Sequence, residues 1–420
     1  MNVVMLLFKD VLFDARVKRE ALALAESGYK VDIFCLNEFK KSADDLNHGL
    51  INVHKIDIFS KTAKASIQAD GQGRSSSRSV KRLMVKVIRA PFVKLLKDMA
   101  AYKQFGSKVK ALLNHHQAGV DIIHCHDLNT LQAGITLSKA FQAKVVYDSH
   151  ELFNEMAGRN DLDRWYGYRQ EGKLMKMVDE LIVVNPYMKE EFQRLYGEKS
   201  TTIIQNTPIH QEDCMEMVEE DYFRKKYNLS ASDIILLYQG GINPHRGLEE
   251  ILQAIKVLPE NYKLVLMGEG RLTNHLITLS NSLGIAERVY FHPQVPSAYV
   301  LGYTKEADIG LVMYRNTSKN NYISTPNKIF EYMIAGIPTI SSDHPGKSYI
   351  INKENTGICS DETPDAIASS IKMVIKNYDY YQNNCKVNFH KYTWQVEKEK
   401  LVNLYTRLKE SYRLTSDQTT

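Results

Sequence analysis

A chain of 420 residues exceeds what one hydrophobic core ordinarily supports, so two domains are expected. With 44% apolar and 25% charged residues it has a globular composition, and its longest apolar runs, such as Val3–Phe8 and Ile234–Tyr238, are too short to cross a membrane. A net charge of +5 does not imply a nucleic-acid partner, and five scattered cysteines (Cys35, Cys125, Cys214, Cys359, Cys385) without metal or redox spacing suit a reducing cytoplasm.

No basic region precedes Val3–Phe8 and Lys9-Asp10 follow at once, so this segment reads as a buried first strand and not as a signal peptide. Further strands are expected at Val31–Leu36, Ile51–Ile56, Asp121–His124, Lys144–Asp148, Leu181–Val184 and Thr202–Gln205, with helices such as Asp14–Ser27, Leu128–Ala140 and Pro186–Tyr196 between them. This alternation is the pattern of a doubly wound parallel sheet, and residues 1–206 are expected to form one Rossmann-like domain. Residues 60–79, rich in Ser, Gly, Gln and Ala, read as a mobile loop. Residues 80–110 read as a basic amphipathic segment, with Val80, Leu83, Met84, Val87, Ile88, Phe92, Leu95, Leu96 and Met99 at helical spacing and a break or kink at Pro91. From Arg74 to Lys110 there are eleven basic residues and one acid, Asp98.

Parallel sheets bind ligands beyond the carboxyl ends of their strands, so function is sought in the loops that follow them. Arg16, at the start of the first helix, is placed to contact phosphate or acceptor, or else to pair with Glu20 at i,i+4. His124 and His126 project to the same side of one strand; a metal needs further ligands that nothing nearby supplies, so hydrogen bonding or packing is expected of them. Asp148-Ser-His150-Glu151 lies just beyond the next strand, where His150 suits contact with a sugar hydroxyl or with developing charge. Asp161-Leu-Asp163 reads as solvated surface.

A second α/β series occupies residues 207–393, with strands at Ile234–Tyr238, Lys263–Met267, Val289–Phe291, Ile309–Met313 and Thr339–Ser342 and helices at Leu248–Leu258, Arg271–Leu283 and Lys328–Ala335. Gln239-Gly240-Gly241 and then Arg246-Gly247 place a glycine turn and a guanidinium before a helix, an arrangement suited to a diphosphate. Gly268-Glu-Gly270 ends another strand where a sugar or phosphate can approach closely. Val289–Pro293 with Val295-Pro296 is a candidate base pocket. In Ser324–Pro338, Thr325 is expected to cap and Pro326 to open a helix that carries Lys328 toward phosphate and Glu331 toward the hydroxyls of a ribose. Residues 394–420 are expected to form one amphipathic helix, buried along Val396, Leu401, Leu404, Tyr405 and Leu408, that packs back on the first domain.

Together these segments resemble glycosyltransferase family 4, the retaining, group 1 enzymes of the two-Rossmann GT-B fold. The resemblance rests on Asp14–Glu20 with Gly28-Tyr29, His124–Asp127, Tyr147–Glu151, Gly240–Glu249, Gly268–Gly270, Ala307-Asp308 and Pro326–Pro338. It implies two doubly wound domains facing an interdomain cleft, and a nucleoside-diphosphate sugar donor held mainly by the second. Arg246 and Lys328 then match the family's diphosphate cations, Glu331 its ribose glutamate and His150 the histidine that contacts the donor sugar; Arg16, His126 and Glu151 are acceptor-side candidates. No catalytic metal or other cofactor is implied. Three departures stand out: Ile323 replaces the first glutamate of the family's motif, Val11-Leu-Phe-Asp14 replaces a Gly-Gly loop, and Gly241 stands where many members carry arginine.

The reading is a hexosyltransferase-type enzyme of polysaccharide or lipid-linked saccharide synthesis, cytoplasmic and peripheral on the inner face of the plasma membrane through residues 80–110. Its partners are the donor and a glycan or lipid-linked acceptor, with no nucleic acid. The alternatives are a sugar-nucleotide epimerase on the same fold and a non-catalytic nucleotide-binding partner of another transferase.

Overall fold

Short apolar runs separated by helices build two all-parallel sheets in the computed structural model, which describes residues 1–39, 46–58, 91–115, 119–210 and 216–417. The expected loop at 60–79, residues 80–90 of the basic segment, and Cys214 lie outside the described residues. The chain divides into one unit of Met1–Ile204 with Lys398–Thr420 and a second of Gln205–Glu397.

In the first unit, β1 (Asn2–Leu6), β2 (Lys30–Leu36), β3 (Ile51–Ile56), β4 (Ile122–His126), β5 (Lys144–Ser149), β6 (Glu180–Val183) and β7 (Thr201–Ile203) run in the order β3-β2-β1-β4-β5-β6-β7. The order reverses between β1 and β4, which pair from Val3↔Ile122 to Leu6↔Cys125, so the ligand-binding crevice of this topology lies at their carboxyl ends. Local chemistry fixes the helices around it. Asp14 caps α1 (Ala15–Glu26) by accepting from the Val17 N–H at 3.1 Å, and Val17, Ala21 and Leu24 bury its inner stripe. Helix α2 (Pro91–His115) packs on α3 (Leu128–Phe141), where a side chain on Gly106 would stand only 2.9 Å from the Ala133 Cβ.

Helix α4 (Asp161–Leu174) corrects the expectation of solvated surface at Asp161–Asp163. Asn160 caps it by accepting from the Asp163 N–H, and the Asp163 carboxylate is buried, bonded by Lys94 at 2.7 Å and by Asn160. Helix α5 (Pro186–Tyr196) begins on an Asn185 cap with proline at its first turn. The C-terminal helix, Trp394–Asp417, belongs to this unit from Lys398 on: Leu401, Leu404, Tyr405 and Leu408 are buried as expected, Val396 is only half-buried, and the Tyr405 ring meets Tyr29 edge-on.

In the second unit, β8 (Ile234–Gln239), β9 (Tyr262–Met267), β10 (Val289–His292), β11 (Ile309–Val312), β12 (Thr339–Ser342) and β13 (Gly357–Ser360) run in the order β10-β9-β8-β11-β12-β13 and again reverse, between β8 and β11. Alternate residues feed two cores, one on each face. Leu236, Leu264, Leu311 and Ile340 pack with α6 (Leu248–Val257) and α7 (Thr273–Leu283); Ile235, Leu237, Val265 and Val312 pack with α8 (Lys328–Ile334) and α9 (Pro345–Glu354).

Candidate active site

In the second unit the candidate residues gather around one ring. The Arg246 guanidinium lies over Tyr314 at 4.0 Å from the centroid, and the ammonium groups of Lys328 and Lys347 stand 5.6 and 5.3 Å from the same ring. Lys328 also lies 5.2 Å from the Tyr238 centroid and donates to the Tyr314 hydroxyl at 3.4 Å. The position follows from the topology, since Arg246 follows β8, Tyr314 follows β11, and these are the two strands at the reversal. Among the described residues, none of the three cations meets a carboxylate at ion-pair distance, so the cluster carries uncompensated positive charge.

Burial works to lower the Lys328 ammonium, but Tyr314 and Tyr238 outweigh it, and its pKa is raised. Burial lowers Lys347 to about 7, with Arg246 adding to the effect. Lys347 holds the backbone before Thr325, donating to the Asn321 carbonyl and, at 3.3 Å, to that of Ser324.

The glycines make room for this arrangement. Gly240 has φ +105°, and a side chain there would come within 3.1 Å of the Lys328 Nζ; Gly268, at φ +145°, would meet the Gly240 carbonyl at 2.1 Å. Gly241 and Gly270 are exposed at the same strand ends, and the Tyr238 hydroxyl donates to the Gly241 carbonyl. Glu331 accepts from the Gln239 amide at 2.5 Å, and Gln239 is itself fixed by the Thr304 hydroxyl. One expectation is corrected: Asn327 is the N-cap residue of α8, so Pro326 precedes the helix, and the Thr325 hydroxyl donates to the Gly346 carbonyl. At seven residues α8 has little dipole of its own, which leaves the work of attracting an anion to the side-chain cations.

In the first unit the polar residues neutralise one another. Arg16 is buried and grips Asp148 with two hydrogen bonds, at 3.0 and 2.9 Å; it also meets Glu20 at 2.9 Å and donates to the Ile204 carbonyl. The Glu20 pair is thus the alternative that forms, and Arg16 is withdrawn from the acceptor side because its guanidinium is fully engaged. His126 is likewise buried, with its Nδ1 3.2 Å from the His150 Nε2, and does not reach a surface.

Glu20, His124, His126 and Asp148 bring four ligand atoms within 4.8 Å of one another, supplying the further ligands that sequence distance had concealed. The Arg16 guanidinium lies on both carboxylates and supplies the cation of this cluster. Burial works to raise the Asp148 carboxyl, but Arg16 and His150 hold it well below the usual range; burial, aided by Asp148, raises Glu20 instead. His124 is closed off by the Tyr405 hydroxyl at 2.8 Å.

His150 is the residue through which this cluster reaches solvent, with its side chain 15% exposed. Its Nε2 lies 3.0 Å from Asp148 and its Nδ1 4.0 Å from Asp127. Burial works to lower the imidazole, but Asp148 and then Asp127 outweigh it and raise it to about 9, so His150 is an imidazolium at neutral pH. Burial, with His124 beside it, lowers His126 to about 3 and keeps that ring neutral. Asp127, at the end of β4, adopts φ 62°, a strained backbone of the kind that clusters at functional sites. Glu151 is exposed one residue further on.

Two family models match the chain in succession, glycosyl transferase 4-like domain over residues 14–207 and glycosyl transferases group 1 over residues 219–407. The chain is a family 4 glycosyltransferase. It is 25% identical over 305 residues to an uncharacterized glycosyltransferase of Methanocaldococcus jannaschii, covering 68% of this chain and 75% of that one. Its fold resembles that of sucrose-phosphate synthase from Thermosynechococcus elongatus (TM-score 0.71, 18% identity, 98% and 100% of the two chains covered). It also resembles Anabaena HepE in complex with UDP-glucose (TM-score 0.69, 12% identity, 96% and 99% covered). The transferase is of the hexosyl-transferring type, on the GT-B fold.

The departures from the family pattern are structurally accommodated in this transferase. Val11–Phe13, in place of the Gly-Gly loop, forms a 3-10 turn stabilised by the Asp10 side chain. Ile323 is buried, and its carbonyl lies where a side chain on Gly346 would stand at 2.0 Å. Sequence reasoning missed Lys347 and Tyr314, although both follow strand ends, the signal by which Arg246 was found.

Proposed function

We propose that this glycosyltransferase moves a hexose-type sugar from a nucleoside-diphosphate donor to a hydroxyl of a glycan or lipid-linked acceptor, with retention at the anomeric carbon. The observation that carries the reading is the uncompensated positive charge of Arg246, Lys328 and Lys347 around Tyr314. A diphosphate supplies the missing negative charge, and a guanidinium beside an ammonium suits its fork of oxygens. Glu331, steadied by Gln239, is assigned to the ribose, as the family resemblance implies, and Gly240, Gly241, Gly268 and Gly270 to close approach by the donor. HepE is described in complex with UDP-glucose, which supports this donor class.

Retention by double displacement needs a carboxylate nucleophile beside an acid/base. Asp148 and Glu20 are buried against Arg16, so a same-face route is assigned: the acceptor oxygen bonds the anomeric carbon as the bond to the diphosphate breaks, and the leaving phosphate takes the acceptor's proton. Arg246 and Lys328 then stabilise the departing charge, with no metal required. His150, as an imidazolium, donates to the transferred sugar. Glu151 is assigned to the acceptor.

The test is turnover with the true donor: Arg246→Ala with Lys328→Ala is expected to abolish it, and unchanged turnover would sink the reading. Proton NMR of the first-formed product checks retention; an inverted anomer would remove the same-face route.

The described part of the basic segment supports peripheral attachment to the inner face of the plasma membrane. Phe92 and Leu96 are 61% and 50% exposed on α2 beside Lys94 and Lys97, and no helix among the described residues is long and apolar enough to cross a membrane. Sedimentation with anionic and neutral liposomes tests this, and equal binding to both would argue against it.

A further inference from the structure

Between α2, α3 and α4, all within the first unit, lies a cavity of about 560 Å³ that the assigned chemistry does not use. Leu95, Met99, Tyr102, Phe153, Tyr166 and Leu174 form its apolar walls. Along α2 the lining runs from Leu95 to Lys110, about 22 Å of helix at 1.5 Å per residue. An apolar-walled space along that length of helix suits a hydrocarbon chain.

Two observations indicate what enters. The lining includes Leu128, Asn129 and Phe153, which directly follow Asp127 and His150–Leu152 in the chain, so part of the groove's wall is built from the segments that carry the Asp127–His150 pair. Lys103, Lys110 and Arg159 also line it, as do Asp98 and Asp163, but both carboxylates are paired with Lys94 and none of the three lining cations meets a carboxylate at ion-pair distance among the described residues; Arg159 instead lies over the Phe153 ring at 4.1 Å. A hydrocarbon chain with an anionic head matches both the walls and this charge.

We propose that the groove between α2, α3 and α4 binds the hydrocarbon chain of a lipid acceptor, one alkyl or isoprenoid chain whose phosphate-bearing head meets Arg159. This rests on the transferase reading above and narrows its acceptor to an amphiphile. Gln132 and Ser107 line the groove from exposed positions, so a tryptophan at either fills it without entering the core.

The experiment titrates dodecyl phosphate, below its micelle concentration, into the full-length protein by calorimetry. Binding is expected in the wild type and weakened at least tenfold in Gln132→Trp and Ser107→Trp, while ethyl phosphate binds at least tenfold more weakly than dodecyl phosphate. Equal binding of the two phosphates, or dodecyl phosphate binding that neither tryptophan reduces, would overturn the proposal. A diazirine at the chain terminus, photolysed in the wild type, is expected to label α2, α3 or α4, and labelling confined to other elements overturns it without recourse to any variant. UDP titrated into the same samples separates the two readings: failure of UDP to bind would count against the transferase reading and leave the chain-binding result standing.

Discussion

The two units place charge at the same topological position, the reversal of strand order, and treat it in opposite ways. Around Asp148 the first unit buries an arginine, two carboxyl groups and two histidines that neutralise one another, and only His150 emerges. Around Tyr314 the second unit gathers Arg246, Lys328 and Lys347 with no carboxylate at ion-pair distance among the described residues. The first arrangement sets the state of one imidazole and leaves the Nε2 atoms of His124 and His126 without a hydrogen-bond partner among the described residues. The second is the site to which the proposed function assigns the donor's diphosphate.

The largest effect should come from breaking the closed cluster. Asp148→Asn leaves Arg16 buried beside a neutral amide, and loss of about 3–5 kcal/mol of stability is expected in urea unfolding. A loss below about 1 kcal/mol would show that water reaches the guanidinium.

The open cluster should respond in the reverse sense. Arg246→Ala is expected to weaken nucleoside-diphosphate binding by about 2–3 kcal/mol, roughly thirty- to a hundred-and-fiftyfold, with almost no change in melting temperature. Lys347 sharpens the contrast, because it titrates at about 7 when folded and at 10.5 when unfolded. Its stability contribution therefore grows between pH 7 and 10.5, whereas the affinity for diphosphate should fall as pH rises through 7; Lys347→Met should flatten that fall in calorimetric titrations.

His150 carries the opposite sign, since its folded value of about 9 lies above the unfolded 6.5. Its contribution to stability is fully present below 6.5 and lost as pH rises through 9, and the pH–rate profile should show a high-pH limb there that His150→Gln removes. A profile with no step near 9 would separate His150 from the chemistry. The smallest effect is Tyr405→Phe, which removes the hydroxyl from His124 and should cost about 1 kcal/mol.

How legible each feature was in the sequence depends on how local its cause is. Strands such as β2, β3 and β12 are apolar runs between turn signals, and their boundaries fall within a residue of the expected ones. Helix α4 was invisible because its buried positions are Asp163, Gly167, Glu171 and Leu174; the spacing is helical, but the residues are not apolar. Strand β13, Gly357–Ser360, is too short and too polar to form a run. Arg246 and Lys328 could be found from glycines and prolines at strand ends. The charge state of His150 could not, since it depends on Arg16, Asp127 and Asp148 meeting from separate elements.

The C-terminal helix has a consequence for biosynthesis. Tyr405, whose hydroxyl lies 2.8 Å from the His124 Nδ1 and whose ring meets Tyr29, is translated after the whole of the second unit. The amino-terminal unit is translated first yet finishes second, after the other unit's whole sheet has been made. A nascent chain stalled once Glu397 has cleared the ribosome would hold a finished second unit and an amino-terminal core still open on one side, a species for chaperones to recognise.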